Sequence, residues 1–237
     1  MKKLAFILFM LPMLAFGQHH MMSVLASQQE SLYPQYVGSS DIGDGSSTSE
    51  TEINISIFDV TEGEFMVICA MATGAVTFTA PTGWSEFEDT QEAHSQMSVA
   101  FFYKTATSSE PTDVAIPFTP TVTGLYSGII HRFSGVSSIP DQYDIPAITS
   151  ANRIDLISYS TSSVDKLALI VGVLEDDATA NSWGTSTKLV EVSSLTGTDV
   201  YFFAAARELP KGESLSASYI SFPNYEYLTA KRFTITK

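Results

Sequence analysis

One cysteine, Cys69, is the whole thiol inventory of the 237 residues, so an internal disulfide framework is excluded. Basic residues are scarce as well: 12 Lys and Arg stand against 26 Asp and Glu, for a formal net charge of −14. Nucleic-acid binding needs clustered Lys and Arg to contact phosphates, and this balance argues against it. The one long apolar run is at the N-terminus, and no other segment approaches the length of a membrane span. Beyond Gln18 no window of about eleven residues keeps a helical period of 3.6. Lys, Glu and Leu runs are also missing, which excludes a coiled coil. What is plentiful is Ser and Thr, 55 together against 38 charged residues, and aromatics, with 15 Phe, 10 Tyr and 2 Trp. At this length one or two domains can bury a sizeable core. The chain reads as acidic and β-rich.

The N-terminus carries an address. Lys2 and Lys3 precede an apolar stretch from Leu4 to Phe16, interrupted only by Pro12. Ala15 and Gly17 supply the small residues a signal peptidase accepts, which makes residues 1–17 a signal peptide and Gln18 the new N-terminus. The other reading is an uncleaved anchor, although the stretch is short for a bilayer. No cysteine follows for lipidation, and cleavage would take the formal charge from −14 to −16. An exported protein is expected: periplasmic, surface-bound, extracellular, or in a virion if phage-encoded, with no membrane insertion after cleavage.

Residues 18–50 read as a flexible arm or linker, rich in Gly, Ser and Asp from Ser39 onward, with room for one strand at Leu32–Val37. Apolar residues then alternate at Ile53, Ile55 and Ile57, the mark of a half-buried strand. Phe65–Ala72 is apolar without a break and reads as a central strand covered on both faces. Further strands follow at Val76–Thr79, Trp84–Glu88, Ser98–Thr105, Ala115–Thr119 and Leu125–Ser134. Thr61-Glu62-Gly63, Pro81-Thr82-Gly83, Glu110-Pro111 and Thr123-Gly124 supply turns between them. The fold class is all-β.

The second half repeats the first. Gly63–Cys69 matches Asp165–Val171, Val99-Ala100-Phe101-Phe102 matches Val200-Tyr201-Phe202-Phe203, and His131-Arg132-Phe133 matches Lys231-Arg232-Phe233. Tyr126 falls near Tyr227. Nearly constant spacing across separate strands is the signature of a duplicated unit. The units span 51–136 and 153–237, joined by a linker at 137–152 with Pro140 and Pro146. An antiparallel β-sandwich, jelly-roll-like and built from two sequence-related halves, is the expected architecture. Whether the halves form one sandwich or two is open.

Three segments carry a resemblance: Phe78-Thr79-Ala80-Pro81-Thr82-Gly83-Trp84, then Val99 to Pro111, then Ile129 to Val136. Their Pro-x-Gly-Trp turn, Tyr-Lys-x-Ala strand end followed by Glu-Pro, and Arg-Phe-Ser-Gly-Val strand end resemble a two-repeat β-sandwich family. That family occurs in phage and prophage virion or tail-associated proteins and in secreted bacterial proteins. The resemblance covers Thr51 to Lys237 and implies a structural or adhesive role. It bears on architecture more than on function.

Chemistry is thinly marked. His19 and His20 sit on the arm, and His94 has no Cys or His at ligand spacing. His131 and Arg132 read as a strand end with outward charges and an inward Phe133. No Gly-x-Ser-x-Gly elbow occurs, and Cys69 lies in a predicted core strand rather than in an exposed, electropositive setting. Glu86 and Glu88 share one strand face, a spacing a glycosidase can use, but they read more simply as a solvated acidic face. Asp41-Ile42-Gly43-Asp44-Gly45 and Glu175-Asp176-Asp177 offer oxygen ligands without the spaced pattern of a helix-loop-helix calcium site. No catalytic, metal or cofactor residue is assigned. Trp183, Tyr143 and Trp84 are the candidate glycan contacts, because aromatic rings stack on sugar faces; the alternative for Trp84 is an inter-sheet core anchor. The expected protein is non-enzymatic. It would meet a cell-surface glycan or a protein partner, with self-association open; the competing class is a carbohydrate-binding module or a glycan hydrolase.

Overall fold

The computed structural model describes residues 33–87, 92–93, 97–148, 153–156, 163–175, 182–184, 186–193, 200–214, 218–222 and 227–237. The signal peptide, Gln18, His19, His20, Glu88, His94, Asp176 and Asp177 lie outside them. Among the described residues there is no helix, and Tyr33–Lys237 form one compact unit.

The first half contributes β1 (Gln35–Ser39), β2 (Gly43–Ser56), β3 (Phe65–Thr73), β4 (Thr77–Phe78), β5 (Ser85–Glu86), β6 (Glu92–Ala93), β7 (Met97–Thr105) and β8 (Asp113–Ser134). The second contributes β9 (Ser138–Ile148), β10 (Arg153–Leu156), β11 (Lys166–Glu175), β12 (Thr187–Ser193), β13 (Val200–Leu209), β14 (Ser218–Ser221) and β15 (Tyr227–Thr236). All pairings are antiparallel, giving an antiparallel β-sandwich. One sheet runs β1-β8-β3-β7-β5, with β2 and β4 paired to β8 and β6 to β7; a second runs β12-β13-β11-β15-β9, and β10 and β14 form a separate two-stranded sheet.

The uninterrupted apolar runs have a simple cause: both of their faces are covered. On β3 the odd positions Phe65, Val67, Cys69 and Met71 enter a core shared with Leu167, Leu169, Val171 and Val173 of β11. The even positions Met66, Ile68, Ala70 and Ala72 enter a second core, closed by Ile53, Ile55 and Ile57 and by Val114, Ile116 and Phe118 of β8. The second half has its own outer core, where Ile170, Leu174, Tyr201 and Phe203 meet Ile220 and Phe222. Alternation along a strand sends neighbours to opposite faces, so each central strand feeds two cores at once. The halves therefore pack through a shared central core, each with a small outer core of its own.

The strand allowed at Leu32–Val37 within the arm appears as β1, a few residues later, and the linker expected at 137–152 is largely a strand, β9. Gln35–Ser39 pairs with the end of β8, and Ser138–Ile148 pairs with β15. They hold equivalent positions at an edge of the two larger sheets. Residues 43–50, also assigned to the arm, pair with β8 as part of β2. Their polar composition misled because an edge or outer strand buries little, and Pro140 and Pro146 are tolerated where one ladder side is unpaired.

The turns expected at Thr61-Glu62-Gly63 and Pro81-Thr82-Gly83 form, but the one expected at Thr123-Gly124 does not: β8 runs unbroken through it, joining the two strands expected at Ala115–Thr119 and Leu125–Ser134, with Gly124 paired to Ser47. Trp84 N–H donates to Pro81 C=O at 3.0 Å with Gly83 at φ 81°, and Glu64 N–H donates to Thr61 C=O at 3.1 Å with Gly63 at φ 87°. Positive φ at the third turn position suits glycine.

Candidate functional site

The aromatic candidates are dispersed. Trp84 is 8% exposed and belongs to the first half's outer core, so its ring offers no face to a sugar. Trp183 is half-buried against the second half's outer core, edge-on to Phe203 with ring centroids 6.0 Å apart. Tyr143 stands opposite Arg232 in the β9–β15 ladder, and its side chain lies outside what is described. Glu86 is exposed on the short strand β5, with its potential partner Glu88 outside the described residues. Cys69 is fully buried, and burial pushes its thiol well up, so it is a core hydrophobe. Asp41 is exposed and Asp44 half-buried. Among the described residues, no group of three His, Cys, Asp or Glu side chains could hold a metal.

The basic strand ends do not point outward. His131 shares its face with Ile129 and Phe133, is 0% exposed, and neither ring nitrogen has a hydrogen-bond partner. Burial pushes its pKa down to about 3, leaving a neutral ring. The Tyr36 ring from β1 lies 6.3 Å away. Arg132 turns to the other face, where Nη1 donates to Asp59 C=O at 2.9 Å and meets Glu64 Oε2 at 3.3 Å. Lys231 is 2% exposed, with its ammonium 6.0 Å from the centroid of Phe87 across the central core. The reason is the one that makes β3 wholly apolar: a strand covered on both faces has no outward side.

Two recesses on the described surface bear on function. One, of about 570 Å³, lies where β1 meets the second sheet and is lined by Tyr36, Leu167, Leu189, Arg207 and Glu208. The other, of about 660 Å³, lies at the loop end of the first half, between residues 57–62 and 107–112.

The loop-end recess is well braced. Ile57 N–H donates to Thr112 C=O at 2.8 Å, and Gly63 N–H donates to Ala106 C=O at 3.0 Å, tying the two loops together. Glu110 Oε2 accepts from Lys104 Nζ at 2.7 Å, while its Oε1 accepts from Thr107 N–H at 2.6 Å and from Thr107 Oγ1 at 2.9 Å. Partial burial works against the Glu110 carboxylate, but the bonds from Lys104 and Thr107 outweigh it and hold the pKa below its usual value. Asp59 adopts a left-handed backbone, φ 54°, and its carbonyl is held by Arg132. Beside it Phe58 is 56% exposed, the highest value among the large hydrophobics of the described residues.

Sequence reasoning passed over Phe58, although a signal was present. Ile53, Ile55 and Ile57 set the inward parity, so an aromatic at 58 falls on the outward side. No protein-family model, curated protein or solved structure matches the chain.

Proposed function

We propose that the chain is an exported, non-enzymatic β-sandwich module with a structural or adhesive role, of the kind phage tails, virions and bacterial surfaces display. The observation that carries this reading is the allocation of side chains. Three apolar cores take up the central strands, and the bases His131 and Lys231 are buried with them. The loop ends and sheet edges are then the surfaces left to meet a partner. The signal-peptide pattern at residues 1–17 supports export, and the net charge of −14 disfavours DNA and anionic lipid as partners.

Two experiments test the reading. N-terminal sequencing of protein recovered from the periplasm or medium should begin at Gln18; an intact Met1 on most molecules would remove the case for export. Incubation with a panel of oligosaccharides should give no turnover. Hydrolysis by the wild type that disappears in the Glu86→Gln/Glu88→Gln variant would make the protein a glycan hydrolase instead. A carbohydrate-binding role is the second reading, favoured by the exposed ring of Phe58 over a polar recess.

A further inference from the structure

We infer that the recess between residues 57–62 and 107–112 is a contact site for an uncharged glycan, with Phe58 as the platform on which a sugar ring stacks. The inference rests on the adhesive reading above and gives it a place and a ligand class.

Four observations converge. First, an aromatic ring that is 56% exposed adjoins Ile57, which is 2% exposed, so Phe58 is anchored by a buried neighbour while its own ring faces solvent. The C–H face of a pyranose matches an aromatic face, and aromatic contact buries apolar area with defined geometry. Second, the recess beside it is polar: Asp59, Glu62, Ser108 and Ser109 line it and are exposed. Carboxylates accept from sugar hydroxyls, and serine hydroxyls both donate and accept, which suits a ligand made of vicinal hydroxyls. Third, its volume of about 660 Å³ falls in the range of small-ligand sites. Fourth, the walls are held before any ligand arrives by the inter-loop hydrogen bonds and by Glu110 bridging Lys104 to Thr107. Preorganisation lowers the ordering cost of binding. The left-handed backbone of Asp59 is the kind of local strain that persists where the surroundings over-determine it.

Charge selects among glycans. The cations nearest the recess are engaged: Arg132 with Asp59 C=O and Glu64, and Lys104 with Glu110. Asp59 and Glu62 leave the rim negative, so sialylated or sulfated sugars are repelled. An uncharged oligosaccharide is the fitting occupant.

The test uses the full mature protein against an immobilised panel of uncharged oligosaccharides of glucose, galactose, mannose and N-acetylglucosamine, with sialylated and sulfated glycans alongside, followed by titration calorimetry. Binding to whole bacterial cells is measured in parallel. Phe58→Ala should weaken binding to the best uncharged glycan by about tenfold. Tyr219→Ala, which removes an exposed ring in the second half, should leave it unchanged, and both variants should melt with the wild type. Uncharged-glycan binding that survives Phe58→Ala overturns this site while leaving an adhesive protein. Cell binding without uncharged-glycan binding, binding confined to charged glycans, or self-association lost in Phe58→Ala without sugar binding overturns it in the same way. Failure to bind any glycan or any cell overturns both the site and the adhesive reading.

Discussion

The two halves share one lattice and fill it differently. In the first, Ala70 of β3 stands between Ala100 of β7 and Gly128 of β8; in the second, Gly172 of β11 stands between Phe203 of β13 and Ala230 of β15. Each β3–β8 or β11–β15 pair thus holds one alanine and one glycine, exchanged between the strands. What lies over the glycine sets how much room a side chain would find there. A Cβ on Gly128 would come within 3.0 Å of Ile55 Cδ1, and one on Gly172 within 2.3 Å of the Phe203 ring. The first half covers its central sheet with aliphatic side chains from β2; the second brings a phenyl ring across instead. One pairing scheme supports two solutions to close packing.

A second difference sits at the central core. His131 of β8 stands opposite Val67, and at the same place in the second ladder Phe233 of β15 stands opposite Leu169. An imidazole in one half thus occupies the place of a phenyl ring in the other.

The largest way to break this comparison is a carboxylate at each of those positions. Leu169→Asp, set between Phe233 and Ala206 with no titratable side chain directly across, should cost about 4 kcal/mol or more as a buried charge. Val67→Asp sits directly across from His131, within cross-strand reach, and a protonated imidazole can pair with it. Its cost should be smaller by about 1–2 kcal/mol. Denaturant midpoints decide it; equal losses would show that His131 does not respond.

Next in size is the pH dependence. The folded pKa of His131 is held at about 3, below the ordinary 6.5, so below 6.5 the unfolded chain binds a proton that the folded chain refuses. Stability is retained above pH 6.5 and lost as pH falls toward 3, at up to about 1.4 kcal/mol per unit in that window. At pH 5 the loss should be about 2 kcal/mol. His131→Phe copies the second half and should remove this contribution, which melting curves from pH 7 to 4 would show.

Smaller still is the glycine pair. Gly172→Ala must move the Phe203 ring and also approach the Thr229 carbonyl at 2.8 Å, and should cost about 1–3 kcal/mol. Gly128→Ala meets mainly the flexible end of Ile55 and should cost less, about 1 kcal/mol. The reverse order would mean that the first half is the more tightly packed. At the small end, Phe58→Ala should leave stability within about 0.5 kcal/mol and be visible only in binding.

Much of the strand content was legible. Phe65–Ala72 and Leu167–Leu174 are central strands because unbroken apolar runs are stable only when covered on both faces. The repeat was visible too, but its register was not. With β3 matched to β11, pairing makes Phe203 the counterpart of Ala100 and Phe233 the counterpart of His131. The sequence match sets Ala100 against Tyr201 and His131 against Lys231, two residues short in both cases. The candidate site was less legible. Trp84 and Trp183 drew attention as large rings, yet both serve outer cores, whereas Phe58 was marked only by its outward parity.

Local chemistry explains what the sequence determined by itself. Alternation assigned each residue of a strand to one face or the other, and Pro81-Thr82-Gly83 and Thr61-Glu62-Gly63 placed turns where positive φ is needed. The scarcity of thiols and bases bounded the chemistry. Tertiary structure alone decided the register, the edge roles of β1 and β9, the burial of His131 and Lys231, and the packing of both halves around one central core. The physical reason is that the side-chain period of a strand is two. A slip of two residues keeps every side chain on its face, so only contacts between distant strands can choose among the registers the pattern allows.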